Sequence, residues 1–110
     1  MTICALSSAS GSSGVAVIRI SGPETKNLIK KLIKKELPRP RMASLLKLYN
    51  INTSSLIDEA IVLWFPGPNS YTGEDMAELH VHGSRAIIKS VQNTILETQK
   101  CRLAEPGEFT

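Results

Sequence analysis

The run VAVIRI, Val15 to Ile20, is the feature that most constrains how this chain can fold. Valine and isoleucine dominate it, and β-branched residues in such density predict a central strand that is buried on both faces. Arg19 interrupts the run. Because an unpaired buried charge is expensive, this arginine requires either a partner or an open edge of the sheet.

Hydrophobic periodicity and turn-forming residues divide the rest of the chain into short elements. The predicted order is strand, loop, strand, helix, three strands, helix and strand. The third and fourth strands form a hairpin, which imposes antiparallel pairing. The fold class is therefore α+β: a mixed, partly antiparallel sheet of about five to six strands, with two helices on one face. The predicted strands besides the first run are TICAL, Ala43–Ile51, Leu56–Phe65, Met76–His82 and CRLA, and a small-residue loop covers Ser7–Gly14.

Both predicted helices carry an apolar stripe. The first begins in SGPE, where Pro23 suits the first helical position and Glu24 suits the positive end of the helix dipole. The second is RAIIKSVQNTILET. The final EPGEFT is typical of the start of a further helix, so we expect a longer parent protein. The stripes are Leu28, Ile29, Leu32 and Ile33 in the first helix, and Ile87, Ile88, Val91 and Ile95 in the second.

Length and composition limit the class of protein. A chain of 110 residues is one small domain. The two cysteines cannot make a disulfide framework, and the start of the chain lacks a signal peptide, so a reducing compartment is expected. No apolar run reaches the length of about 18 residues that a membrane span needs, which predicts that the protein is not embedded in a membrane.

Positive charge is concentrated in one segment. Residues 26–41 hold seven basic residues against Glu36, a net of +6 in a chain whose total is +3. The segment fits either a solvated helix face or a patch that faces RNA phosphates or another anion. No aromatic residue lies within it, so the sequence does not suggest stacking on bases.

The strand MAELHVH carries the most chemistry. Glu78, His80 and His82 share one face of it, while Ala77 and Leu79 fall on the other. The row fits a metal site, an acid/base site or a binding edge for a polar ligand. Serine nucleophile motifs, a phosphate-binding loop and paired catalytic carboxylates are missing from the sequence. For His82, beside Gly83, a structural role with its ring donating to backbone carbonyls is a further interpretation.

Three segments, VAVIRISGP, LWFPGPNSYTGEDMAELHVHG and LAEPGEFT, give the chain a family resemblance. It resembles the amino-terminal domain of the TrmE/MnmE family of tRNA modification GTPases, in the mitochondrial or Rickettsia-like version, from Thr2 to Thr110. The resemblance implies that residues 1–110 are one domain, with a fold similar to that of folate-dependent one-carbon enzymes. It also implies that the helical and GTPase domains of the parent lie outside this chain.

The resemblance further implies a function. The domain would bind a tetrahydrofolate derivative, 5-formyl or 5,10-methylene, and form a homodimer. With a flavin-dependent partner of the MnmG/GidA type, the parent would modify carbon 5 of the wobble uridine of tRNA. GTP, Mg²⁺ and K⁺ would belong to the GTPase domain alone. The location would be the mitochondrion in a eukaryote and the cytoplasm in a bacterium. The alternative is a dimerisation and tRNA-contacting module without folate, and this domain alone is not expected to be catalytic.

The resemblance assigns roles residue by residue. The folate-binding arginine and glutamate of the family fall on Arg19 and Glu78, and His80 is a neighbour of the ligand. The loop from Pro66 to Thr72 would wall the pterin, and Tyr71 would stack on it. A further binding lysine of the family follows GEFT, beyond Thr110. The chain departs from many bacterial members, which have a basic residue at Ser12 or Ser13, glutamine at His80 and a second glycine at Ser84.

Overall fold

The computed structural model describes residues 1–9 and 14–109. Ser12, Ser13 and Thr110 therefore lie outside the described residues. Eight elements are present in the predicted order: β1 (Thr2–Ala9), β2 (Val15–Ser21), α1 (Thr25–Ile33), β3 (Ser44–Tyr49), β4 (Leu56–Phe65), β5 (Met76–His82), α2 (Arg85–Glu97) and β6 (Cys101–Leu103).

The six strands form a single mixed sheet in the order β3-β4-β5-β2-β1-β6. All neighbouring strands are antiparallel except β1 and β6, which are parallel. The predicted hairpin of β3 and β4 is present, and β2 is an interior strand with β1 and β5 beside it. The α+β class and the number of strands and helices are confirmed.

The core lies between the sheet and the two helices. Alternate residues of β2 point into it, and so do Leu79 and Val81 of β5, because strand side chains alternate between faces. The predicted stripe of α1 is fully buried, whereas in α2 only Val91 and Ile95 are buried and Ile87 and Ile88 lie at the margin. No helix among the described residues is long and apolar enough to cross a bilayer.

Several expected boundaries were wrong. Helix α1 begins at Thr25 rather than at Pro23, and Glu24 is its N-cap without a side-chain hydrogen bond. Strand β1 extends to Ala9, into the predicted loop, and the structure places residues 106–109 in turns rather than in a helix.

The expectation that β2 is buried on both faces was also wrong. Its residues Ala16, Ile18 and Ile20 are buried under the helices, but Val15 is 55% exposed and Arg19 is only half-buried. Neither described helix covers that second side of the sheet, which we call the open face. β-Branched residues therefore line both sides of a strand that is packed on one side only.

The two cysteines are free thiols buried near the β1–β6 edge. A hydrogen bond with Cys4 and burial both raise the pKa of the Cys101 thiol, so this thiol stays protonated at neutral pH. The pair therefore packs as small apolar side chains.

Gly22 allows the connection from β2 to α1 to pass close to the first strand. Its φ is +136°, and a Cβ at this position would lie 2.5 Å from the Cα of Thr2. The N–H of Gly22 donates to the carbonyl of Asp75, and the N–H of Glu24 donates to the hydroxyl of Thr2. This close packing fixes the start of α1 against both β1 and the end of the loop before β5.

We expect Gly22→Ala to destabilise the fold by about 2–4 kcal/mol, because both the backbone angle and the space oppose a side chain. Urea unfolding followed by circular dichroism measures this. Gly73→Ala is the matched control, since Gly73 also has a positive φ of +82° but has nothing within 4 Å of the added Cβ. Its cost should be about 1–2 kcal/mol. Equal losses in the two variants would show that the contact with Thr2 is unimportant.

Candidate functional site

A charged cluster lies on the open face, where β2 and β5 run side by side. Arg19 is the direct cross-strand partner of Glu78 in the antiparallel register. The Nε of Arg19 donates to Oε2 of Glu78 at 2.9 Å, and Nε2 of His80 lies 3.0 Å from Oε1. Because an ionised carboxylate only accepts hydrogen bonds, His80 donates from Nε2. One carboxylate thus holds a guanidinium and an imidazole.

Apolar neighbours partly shield this carboxylate from solvent. Glu78 is 15% exposed, compared with 33% for Arg19 and 30% for His80. In β4, Leu63 lies opposite Glu78 and Ile61 lies opposite His80, both half-buried. The hydrogen bonds that Glu78 accepts from Arg19 and His80 are therefore stronger than they would be in bulk water.

The environment of Glu78 shifts its pKa in two opposing ways. Burial alone would raise the pKa of this carboxyl, but the hydrogen bonds from His80 and Arg19 and the charge of Arg19 outweigh burial. The pKa of Glu78 therefore lies below its usual value, and the group is ionised at neutral pH.

The loop before β5 brings Tyr71 to the cluster. The guanidinium carbon of Arg19 lies 5.6 Å from the centre of the Tyr71 ring, a cation–π distance. The hydroxyls of Ser21 and Thr72 are 2.7 Å apart and fasten the loop to the end of β2. Tyr71 itself remains 66% exposed, so most of its ring surface is open to a ligand.

A second wall comes from the segment that follows β6. This segment and Arg19 line opposite sides of an open depression of about 390 Å³. Arg102 donates two hydrogen bonds to the carboxylate of Glu108, and the N–H of Glu105 donates to the same group. These bonds lower the pKa of Glu108 to about 2. The lining residues are Ala5, Leu6, Ser7, Arg19, Ala104, Glu105, Pro106, Gly107, Glu108 and Phe109.

His82 does not belong to the cluster. Its Nδ1 lies 2.8 Å from Oδ1 of Asp58, and its backbone N–H donates to Oδ2 of the same carboxylate. The predicted structural role of His82 is therefore supported, but the expected partner was wrong: it is a buried carboxylate of β4 rather than a backbone carbonyl. Sequence reasoning missed Asp58 as a partner of His82, because their contact depends on how β4 and β5 lie beside each other in the sheet.

The three alternatives for the row of Glu78, His80 and His82 now differ in support. A metal site formed by all three fails, because His82 is engaged with Asp58 instead. Within residues 1–9 and 14–109, no group of three or more histidine, cysteine, aspartate or glutamate residues is arranged to hold a metal ion. The arrangement is suited to binding a polar ligand, with an ionised carboxylate beside a guanidinium and an aromatic ring.

Ser84 has a structural function. Its hydroxyl accepts from the N–H of Ile87 at 3.1 Å, which caps the amino end of α2. The serine therefore anchors the helix that directly follows the strand bearing Glu78.

The similarity of this chain to known proteins extends over its whole length. The family described as GTP-binding protein TrmE N-terminus matches residues 2–110. The tRNA modification GTPase MnmE of Pelagibacter ubique is 58% identical over 110 residues, which is 100% of this chain and 25% of that protein.

Eukaryotic relatives give the same result. The mitochondrial 5-taurinomethyluridine-[tRNA] synthase subunit GTPB3 of Danio rerio is 47% identical over 109 residues, 99% of this chain and 22% of the relative. The mitochondrial tRNA modification GTPase gtpbp3 of Dictyostelium discoideum is 46% identical over 115 residues, again 99% of this chain and 22% of the relative. The chain spans about a quarter of the length of these curated relatives. It belongs to the family of the GTP-binding protein TrmE N-terminus.

Proposed function

We propose that this chain is the folate-binding and dimerisation domain of a tRNA modification GTPase. The single observation that carries the proposal is the contact between Arg19 and Glu78 on an open, half-polar face, with Tyr71 over the guanidinium. The names of the relatives support tRNA modification as the wider function.

The residues present fit a reduced folate. A pterin presents an amino group and a ring N–H side by side, which one carboxylate can accept together. Glu78 has one partner on each oxygen, and a carboxylate has about four lone-pair sites, so each oxygen retains accepting capacity. Arg19 contacts Glu78 through Nε alone, which leaves its two terminal nitrogens uncommitted to that carboxylate.

Each residue has a distinct role in this proposal. Glu78 would accept from the pterin, and His80 would hold the carboxylate in place. Arg19 would bind a carbonyl or carboxylate of the ligand, beside the depression that it lines with the segment after β6. Tyr71 would cover one face of the pterin. When bound, the folate supplies a one-carbon unit in the 5-formyl or 5,10-methylene form.

The larger assembly is part of the same proposal. We infer that residues 1–110 form one domain of a longer protein, whose separate GTPase domain binds GTP, Mg²⁺ and K⁺. A flavin-dependent partner of the MnmG/GidA type and tRNA would complete the reaction at the wobble uridine. The mitochondrial relatives support a mitochondrial location in a eukaryote, and the proposal includes a cytoplasmic location in a bacterium.

Titration with 5-formyl-tetrahydrofolate, followed by calorimetry, tests the ligand. We expect saturable binding that Glu78→Gln weakens about tenfold or more, because the variant loses charge-assisted acceptors while keeping its shape. Glu97→Gln is the control, since it removes one exposed carboxylate from α2, away from the cluster. Absence of saturable binding, or equal affinity in the Glu78 and control variants, would favour a dimerisation and tRNA-contacting module without folate.

The lowered pKa of Glu78 gives a pH dependence with a definite sign. A carboxyl whose pKa is lower in the folded state contributes stability above its unfolded pKa, and this stability is lost as the pH falls through the folded pKa. Ligand binding by the ionised form should therefore persist as the pH falls through the ordinary glutamate range, and should fail only at the lower pH where Glu78 itself becomes protonated. His80→Asn should raise the pKa of Glu78, measured by carbon NMR of its carboxyl. An unchanged pKa in this variant would contradict the role given to His80.

Dimerisation through the open face is supported by its exposed apolar residues. Val15 is 55% exposed, and it lies on the same side as half-buried Ile61 and Leu63. Apolar surface of this kind around a charged cluster is suited to a second copy of the chain.

Light scattering after size-exclusion chromatography tests this surface. We expect a dimer at concentrations of order 100 μM that Val15→Glu converts to monomer, because the buried charge would be unpaired. Asn93→Glu introduces the same charge at an exposed position of α2, on the covered side of the sheet, and should leave the dimer intact. A monomeric wild type, or a dimeric Val15→Glu variant, would show that this face is not the interface.

A further inference from the structure

A second surface with binding character lies away from the Glu78 cluster, at the β3 end of the sheet. Helix α1 buries its apolar stripe against the sheet and turns Lys26 and Lys31 fully outward, with Lys30 half-exposed beside them. The helix has no acidic residue in its first turn. Of these lysines, Lys30 has a described ion pair, a 3.5 Å contact with the highly exposed Glu36, and exposed pairs of this length contribute little. Most of the positive charge is therefore available to a partner.

The positive charge continues into a groove along β3, which is the edge strand at this end of the sheet. The groove has a volume of about 320 Å³, and we call it the β3 groove. Lys35 and Lys47 bring positive charge to it, and Glu59, the cross-strand partner of Lys47, brings the only negative charge among its lining residues. The lining residues are Ile33, Lys35, Leu45, Leu46, Lys47, Tyr49 and Glu59.

An aromatic ring also lies in the β3 groove. Tyr49 comes from the end of β3, and the Nζ of Lys34 lies 5.4 Å from the centre of its ring. Lys34 reaches this position because it leaves the helix in the left-handed conformation and donates to the hydroxyl of Ser54 in the β3–β4 turn. The basic segment contains no aromatic residue of its own, and the fold supplies one from a different element.

We propose that the α1 lysines and the β3 groove form a binding surface for the phosphate backbone of RNA. Lysines in a row supply the sequence-independent attraction to phosphates, and a tyrosine among them offers a face on which an unpaired base can stack. A concave groove with an aromatic wall fits a polynucleotide better than it fits a flat membrane surface. The surface is independent of folate binding and rests on the proposed function only in taking tRNA as the RNA.

Binding of this chain to a tRNA transcript over a range of KCl concentrations tests the surface, with fluorescence anisotropy as the readout. The test variant is Lys31→Gln/Lys35→Gln/Lys47→Gln. All three lysines are exposed, so the fold is expected to be retained, as circular dichroism can verify. Affinity should fall at least tenfold at about 0.1 M salt, and the slope of log K against log salt should become shallower by about 2 to 3.

The matched control is Arg85→Gln/Lys89→Gln/Lys100→Gln, which removes the same number of exposed positive charges from α2 and the turn after it. This variant should keep the wild-type affinity and slope. Equal losses in the two triple variants would overturn the proposal, because they would show that total charge alone governs binding. Displacement of the RNA by phosphatidylserine-containing vesicles would overturn it in favour of a membrane surface.

Two further readouts separate this proposal from others. Tyr49→Leu should weaken binding of single-stranded RNA about tenfold with an unchanged salt slope, and Tyr49→Phe should keep it, since stacking needs the ring and not the hydroxyl. Equal binding by the leucine and phenylalanine variants would remove the tyrosine from the site. The lysine triple variant should bind 5-formyl-tetrahydrofolate like wild type, so a failure of folate binding leaves the RNA result independent.

Discussion

The antiparallel register between β2 and β5 is the constraint on which the candidate site depends. It places Arg19 directly opposite Glu78, and it places both on the face of the sheet that the two helices leave open. A shift of β5 by one residue against β2 would move Glu78 into the core and would turn Leu79 outward, since strand side chains alternate with period two. Burial of the apolar residues therefore fixes the position of the charged ones.

The open face joins features that a small domain usually keeps apart. It has exposed Val15, half-buried leucine and isoleucine on β4, and a cluster of one carboxylate, one guanidinium and one imidazole. An ion pair in such partial burial contributes little net stability, because desolvation offsets the Coulomb attraction. A role in binding gives a better physical reason for the cluster than stabilisation does, since preorganised charges need no rearrangement when a polar ligand arrives.

Two loops complete the site from opposite directions. The loop before β5 carries Tyr71 and is fastened by the contact between Thr72 and Ser21. The segment after β6 is fastened by Arg102 and Glu108, and it faces Arg19 across an open depression. The β3 groove lies two strands away from Glu78 in the sheet order, so the surface proposed for a small polar ligand and the one proposed for a polyanion are centred on different strands.

The sequence by itself determined the order of the elements, the α+β class, the apolar stripe of α1 and the identity of the charged strand. These follow from local periodicity, which each segment carries within itself. Tertiary structure alone decided which side of β2 is covered, since β-branched residues occur on both of its sides. It also decided the partners: Asp58 for His82, Tyr49 for Lys34, and Arg19 for one oxygen of Glu78. Such contacts join residues far apart in the chain, and their geometry depends on strand order and register, which no local pattern specifies.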